Sequence, residues 1–187
     1  MTGVDNIVLM GMKHCGKSTL GRMLAREKGM RYFDLDTIIE ETYGNRSVPV
    51  REIYATRGKS YFQNLETEAV VYLVKQTKYQ ERIVAALGGG TIENSEAMEK
   101  LGHDWLLIYL QAPPRELFER IERGGLPPFL QGTDPYSLFT ALYERRTSIY
   151  EKKADLTVNI GGRDLKESLN LLITSLKGIG YVWQQFR

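Results

Sequence analysis

Ile7-Val8-Leu9-Met10-Gly11-Met12-Lys13-His14-Cys15-Gly16-Lys17-Ser18-Thr19 is the stretch on which the reading of this 187-residue chain turns. An apolar run ends in Gly-x-x-x-x-Gly-Lys-Ser-Thr, and Leu20-Gly21-Arg22-Met23-Leu24-Ala25 follows with helical spacing. Strand, glycine-bearing turn and helix start, in that order, are the context of a phosphate loop. Glycines let the backbone curl until successive N–H groups and the helix N-terminus face an anionic phosphate chain. In such a loop Lys17 reaches the terminal phosphates, and Ser18 places a hydroxyl on Mg²⁺, which offsets charge as a phosphoryl group moves. Gly11, Lys13, His14, Cys15, Gly16, Lys17, Ser18 and Thr19 are therefore expected to bind nucleotide. A turn that only redirects the chain would not require Gly-Lys-Ser at this spacing.

Outward from the loop, short apolar runs alternate with longer helical patterns. Asn6 to Met10, Arg31 to Phe33, Arg82 to Ala86, Trp105 to Leu110 and Leu156 to Ile160 read as strands. Lys17 to Lys28, Leu35 to Tyr43, Val50 to Arg57, Lys59 to Lys75, Asn94 to Leu101, Pro114 to Glu122, Pro135 to Ala154 and Asp164 to Leu176 read as helices. Such alternation predicts a doubly wound α/β fold, a parallel sheet of about five strands covered on both faces. The length suits one domain over residues 1–187,. The Gly- and Pro-rich stretch from Arg123 to Asp134 interrupts the pattern between two helices. A loop of that length in a small domain predicts a flap that keeps water from an activated phosphate.

Composition narrows the function classes. A formal net charge of +2 without a basic cluster gives no reason to expect a nucleic-acid partner,. No run approaches the ~18 apolar residues of a membrane span, and Met1 to Asp5 leads straight into the first strand,. A cytoplasmic protein with no membrane partner is expected. Cys15, the only cysteine, has no disulfide or zinc partner and is read as loop filling,. His14 and His103 lack ligand-like spacing, and Trp105, Tyr109 and Phe118 read as core. The aromatic tail Tyr181 to Arg187 either packs back on the domain or mediates self-association; a monomer is expected.

Two further features belong to the side of the cleft facing the phosphates. Asp34 and Asp36 flank Leu35 where the second strand passes into a helix, and ligands of doubly wound sheets gather at strand carboxyl ends,. One carboxylate can steady hydrated Mg²⁺, and the other can orient or deprotonate an attacking hydroxyl. An acid there can equally be a helix cap, and the phosphate loop tips the balance towards chemistry. Gly88-Gly89-Gly90 follows the third strand, where bare backbone can lie against a ligand and offer N–H groups,.

Gly11 to Thr19, Asp34-Leu35-Asp36 with Ile38-Ile39-Glu40, Phe62 to Glu66, Gly88-Gly89-Gly90, and Arg146 ahead of Tyr150 occur in this order. From Ile7 to about Gly178 the chain thereby resembles the shikimate kinases. These small P-loop kinases use ATP and Mg²⁺ to phosphorylate a hydroxyl of the carboxylated cyclohexene triol shikimate, giving shikimate 3-phosphate for aromatic amino acid biosynthesis. The resemblance implies the fold shared with nucleoside-monophosphate kinases, and metal roles for Ser18 and Asp34. It implies that Lys17 acts on the transferring phosphoryl group, that Asp36 holds and activates the acceptor hydroxyl, and that the glycine triad lies under the acceptor ring. By the same resemblance Arg146 binds the substrate carboxylate and Arg120 lies flat on adenine, tasks that suit a planar guanidinium.

Two departures accompany the match. The family has a carboxylate-gripping arginine where this chain has Gln63, and a flap arginine where the nearest match is Pro127-Pro128-Phe129-Leu130. Arg57, Lys59 and Arg123 lie near the affected segments in sequence, and Lys13 sits within the phosphate loop. Gln63 can still donate two hydrogen bonds, so a related hydroxy acid or polyol is a second expected acceptor class. A nucleotide-binding protein without turnover is the third reading.

Overall fold

Five short strands form one sheet in the order β2-β3-β1-β4-β5. They are β1 (Asn6–Met10), β2 (Arg31–Asp34), β3 (Ile83–Ala86), β4 (Trp105–Gln111) and β5 (Leu156–Asn159), and every neighbouring pair is parallel. The computed structural model describes residues 5–43, 48–79, 82–127 and 130–181. The central strands carry apolar residues on both faces, Ile7-Val8-Leu9-Met10 in β1 and Ile83-Val84-Ala85-Ala86 in β3, and all eight are buried. Such strands need helices above and below. These are α1 (Lys17–Lys28), α2 (Leu35–Tyr43), α3 (Val50–Gln76), α4 (Ser95–Leu101), α5 (Pro114–Arg123), α6 (Pro135–Lys153) and α7 (Leu165–Gly178). The doubly wound parallel sheet expected from the alternation is present.

The helix ends follow their local chemistry. Asn94 caps α4 by accepting from the Ala97 N–H, Asp134 caps α6 through the Ser137 N–H, and Asp164 forms a capping box with Glu167 on α7,. Gly29 closes α1 in the left-handed region at φ 63°, its N–H returning to the Ala25 carbonyl,. The two helices expected on either side of Gly58 are both present and run end to end as α3, with Gly58 at φ 78° and ψ 175°, a non-helical conformation, as the kink between them. No side chain with a Cβ adopts that conformation cheaply.

Strand ends differ from the sequence expectation by one residue. Asp34 and Gln111 lie inside strands, whereas Arg82 and Ile160 flank them. Both flanking residues still pair at the sheet edge: the Arg31 N–H donates to the Arg82 carbonyl at 2.9 Å, and the Ile160 N–H to the Gln111 carbonyl at 2.8 Å. Trp105, Tyr109 and Phe118 are core residues, as read, and Cys15, read as loop filling, is buried. Within the flap stretch Pro127 and Leu130 are buried, and the Leu126 carbonyl accepts from Arg51 at 3.2 Å. Pro128 and Phe129 lie outside the described residues, as does the tail from 182 onward. Tyr181, where the tail begins, donates its hydroxyl to the Asp5 carbonyl at 2.7 Å. Among the described residues no helix is long and apolar enough to cross a membrane.

Candidate active site

The carboxyl ends of β1, β2 and β3 deliver three segments to one place: the loop from Gly11, the Asp34–Asp36 step into α2, and the turn from Gly88. The loop depends on two glycines. Gly11 has φ 147°, and a Cβ there would stand 2.6 Å from the Leu110 carbonyl oxygen; Gly16 caps α1 at φ 98°. His14 also adopts a left-handed φ of 63°. Lys17 is buried and donates from Nζ to the carbonyls of Gly11 and Met12, both at 2.9 Å, with the Cys15 Sγ at 3.9 Å. Thr19 follows in the first turn of α1. Burial lowers the His14 pKa, and the charges of Lys13, Lys17 and Arg120 lower it further. Their convergence makes the mouth of the loop electropositive.

Ser18 donates its hydroxyl to Asp34 Oδ2 at 2.6 Å. Tyr32 donates to the same oxygen at 2.8 Å, and the Asp36 N–H donates to Oδ1 at 3.1 Å. Three donors thus fix the Asp34 carboxylate beside the Ser18 hydroxyl. The Tyr32 ring reaches this position because Gly21 in α1 lacks a side chain; a Cβ there would stand 2.7 Å from the ring. Asp36, partly buried, has a pKa raised to about 6, first by burial and then by the neighbouring Asp34 charge, while Lys17 opposes the shift. At neutral pH it is mostly ionised, and it is a far better proton acceptor than an ordinary aspartate.

The glycine triad works as a spacer among protein groups. A Cβ on Gly88 would stand 2.9 Å from Thr91 Oγ1 and 3.0 Å from Asp36 Oδ1. On Gly89 it would meet the Lys13 backbone nitrogen at 3.0 Å, and on Gly90 the Arg146 Nη2 at 3.2 Å. The three absent side chains therefore admit α2, the phosphate loop and α6 to the same turn. Tyr150, on α6 and stacked on Tyr109, ties the turn down through a 2.7 Å bond to the Gly89 carbonyl.

Gln63 is on α3; its carbonyl accepts from Asn94 Nδ2 at 2.8 Å and from Thr67 at 3.0 Å. Among the described residues nothing binds its side-chain amide. Arg120 on α5 donates to the His14 carbonyl at 3.1 Å and is ion-paired with Glu116 one turn earlier. Arg146 on α6 is paired with Glu93. Asp36, Lys13 and Arg146 thus meet at the glycine turn and Arg120 meets the phosphate loop at His14, whereas no contact joins the Gln63 side chain to them among the described residues. Sequence reasoning gave no role to Glu66, Thr91, Asn94 or Glu93. Glu66, buried between Thr91 Oγ1 at 2.6 Å and Asn94 Nδ2 at 3.2 Å, lies inside the quoted Phe62 to Glu66 segment, a signal that could have found it. Among the described residues no three or more His, Cys, Asp or Glu side chains cluster as metal ligands.

Residues 13–177 match the family model described as shikimate kinase. The chain belongs to the shikimate kinase family. Curated shikimate kinases from Burkholderia lata and Moorella thermoacetica are 32% identical over 177 residues and 33% identical over 178. The first alignment covers 95% of this chain and 92% of the relative, the second 91% and 98%. A solved shikimate kinase from Acinetobacter baumannii, in complex with shikimate, aligns over 94% of both chains with a TM-score of 0.80 at 24% identity, a likeness of fold. The P-loop kinase architecture implied by the resemblance is therefore met.

Proposed function

We propose that this protein transfers the γ-phosphoryl group of ATP to a hydroxyl of shikimate, as one cytoplasmic kinase domain over residues 1–187 acting as a monomer. One observation carries the reading: Asp36, the phosphate loop and Arg146 converge on Gly88, Gly89 and Gly90, each within 3.2 Å of where a side chain would be. Nucleotide, acceptor hydroxyl and acceptor carboxylate thereby have recognition groups around a single turn.

The loop amides from Gly11 to Thr19 bind the phosphate chain, and Arg120 lies on the adenine face, held by Glu116 and the His14 carbonyl,. Lys17 moves its ammonium from the loop carbonyls to the transferring phosphoryl oxygens,. The hard oxygen donors Ser18 and Asp34, 2.6 Å apart, suit Mg²⁺ that takes its remaining ligands from phosphate and water,. When bound there, the ion supplies charge neutralisation on the outer phosphates. Asp36 accepts the acceptor's hydroxyl proton as the oxygen attacks,. Arg146 holds the acceptor carboxylate, and Gln63 adds neutral donors beside it.

The charge lost at Gln63 favours a second reading, a less anionic hydroxy acid or polyol as acceptor. ADP release with Mg-ATP is measured alone and with shikimate, quinate, gluconate and nucleoside monophosphates. Shikimate-dependent release is expected, and release with another acceptor alone selects the second reading. ATP binding without turnover on any acceptor selects a non-catalytic role.

A further inference from the structure

Glu93 lies three residues beyond the glycine triad, at the end of the short 3₁₀ turn Thr91–Glu93, and nothing in its local sequence marks it. Folding places it against both basic residues of the Arg145-Arg146 pair on α6. Oε2 accepts from Arg146 Nε at 2.9 Å and lies 2.8 Å from Nη2, while Oε1 accepts from Arg145 Nε at 2.8 Å. The Arg146 side chain is 17% exposed and that of Glu93 20%, against 63% for Arg145. Two guanidinium groups and one carboxylate leave the trio with one net positive charge, on the buried side where a ligand can meet Arg146.

Geometry decides between a carboxylate that blocks Arg146 and one that aims it. A guanidinium offers two edges for a carboxylate, the side edge of Nε with one Nη and the end edge of both Nη atoms. Glu93 occupies the side edge. Among the described residues no acceptor takes the Nη1 hydrogens, so the end edge is open. Gly90 completes the seat: its φ of −102° suits any residue, yet a Cβ there would stand 3.2 Å from Nη2 and 3.8 Å from Cζ. Burial works to raise the Glu93 pKa, but the Arg146 charge and the hydrogen bonds from both arginines outweigh it, so the carboxyl stays ionised below its ordinary range.

We infer that Glu93 is the positioning residue of the acceptor site, holding the Arg146 guanidinium by its side edge against Gly90 so that its end edge meets the substrate carboxylate. The inference rests on the proposed role of Arg146. With Gln63 uncharged, the aim of this single cation matters more than it would in a two-arginine clamp. A rival arrangement has a distinct signature. Glu93 and Arg145 also line a groove of about 710 Å³ with Lys59, Ser95, His103 and Lys153, where Lys59 and Arg145 could take the carboxylate instead.

The test is steady-state kinetics with shikimate and with its uncharged methyl ester, at saturating Mg-ATP. For Glu93→Gln the shikimate KM is expected to rise about tenfold, the scale of one charge-assisted hydrogen bond. The kcat, the ATP KM and the methyl-ester KM should all change by less than about twofold, since neither chemistry nor a neutral acceptor uses the clamp. Glu93→Asp, which keeps the charge but draws the carboxylate back by one methylene, should show a smaller rise of the same selectivity and serves if Glu93→Gln does not fold. An unchanged or lower shikimate KM in both variants overturns the inference. So does an equal loss on both acceptors, which would mark a structural role. A lower KM in Glu93→Gln with a higher one in Lys59→Ala places the carboxylate in the groove. Arg146→Met separates the two levels: if it leaves the shikimate KM unchanged, the role of Arg146 itself fails, and if it alone raises the KM, only the positioning by Glu93 fails.

Discussion

In the proposed site, consecutive residues from Gly11 to Thr19 make the phosphate side, largely from main-chain groups, whereas the proposed acceptor side draws single side chains from α2, α3, the turn after β3, and α6. The first is held by backbone conformation at Gly11 and Gly16. The second is held by side-chain pairs such as Glu66 with Thr91 and Glu93 with Arg146. A loop built from backbone tolerates little change and does one thing. A wall built from separate side chains can be retuned one residue at a time.

Substitutions should divide along that line. Lys17→Met is expected to lower kcat by about 10³-fold or more, because charge compensation carries most of a phosphoryl transfer. Comparable turnover in a quenched-flow assay would break the division outright. Asp36→Asn should lower kcat by about 10²- to 10³-fold while sparing ATP affinity measured by calorimetry. Arg146→Met, by contrast, should raise the shikimate KM by about a hundredfold, the range for truncating one partner of a desolvated ion pair. Gln63→Arg should lower that KM by about tenfold, one charge-assisted contact regained. An unchanged value would mean that the carboxylate is held elsewhere.

Asp36 also carries a pH signature. Its pKa, raised from 3.8 to about 6, predicts that kcat/KM for the acceptor falls about tenfold per pH unit below 6, as the base becomes protonated,. The same shift acts on stability with opposite sense. Because the folded carboxyl prefers its proton, the native state loses stability as pH rises from about 3.8 through about 6,. Asp36→Asn should accordingly melt higher than the parent at pH 8, with the gap closing towards pH 4. A gap of equal size at both values would assign the effect to packing.

The phosphate side was legible in the sequence because its chemistry is contiguous: spacing alone sets the loop, and Asp34 and Asp36 follow from sitting at a strand end. The break in α3 was legible too, since Gly58 falls between the two helical runs Val50 to Arg57 and Lys59 to Lys75. Glu93 was not. It meets Arg146 across 53 residues of chain, and no short-range pattern encodes that distance. The triad was legible as bare backbone, but its spacing role requires knowing which groups stand opposite each glycine.

Gly21 shows what such hidden dependence means for anyone trying to harden this enzyme against heat. Inside a helix, glycine in place of alanine ordinarily costs about 1 kcal/mol, so Gly21→Ala looks like a free gain. Here the added methyl would strike the Tyr32 ring, whose hydroxyl steadies Asp34. If Asp34 serves magnesium as proposed, the routine thermostabilising exchange would be felt first as weakened magnesium dependence, and only afterwards as a change in melting temperature.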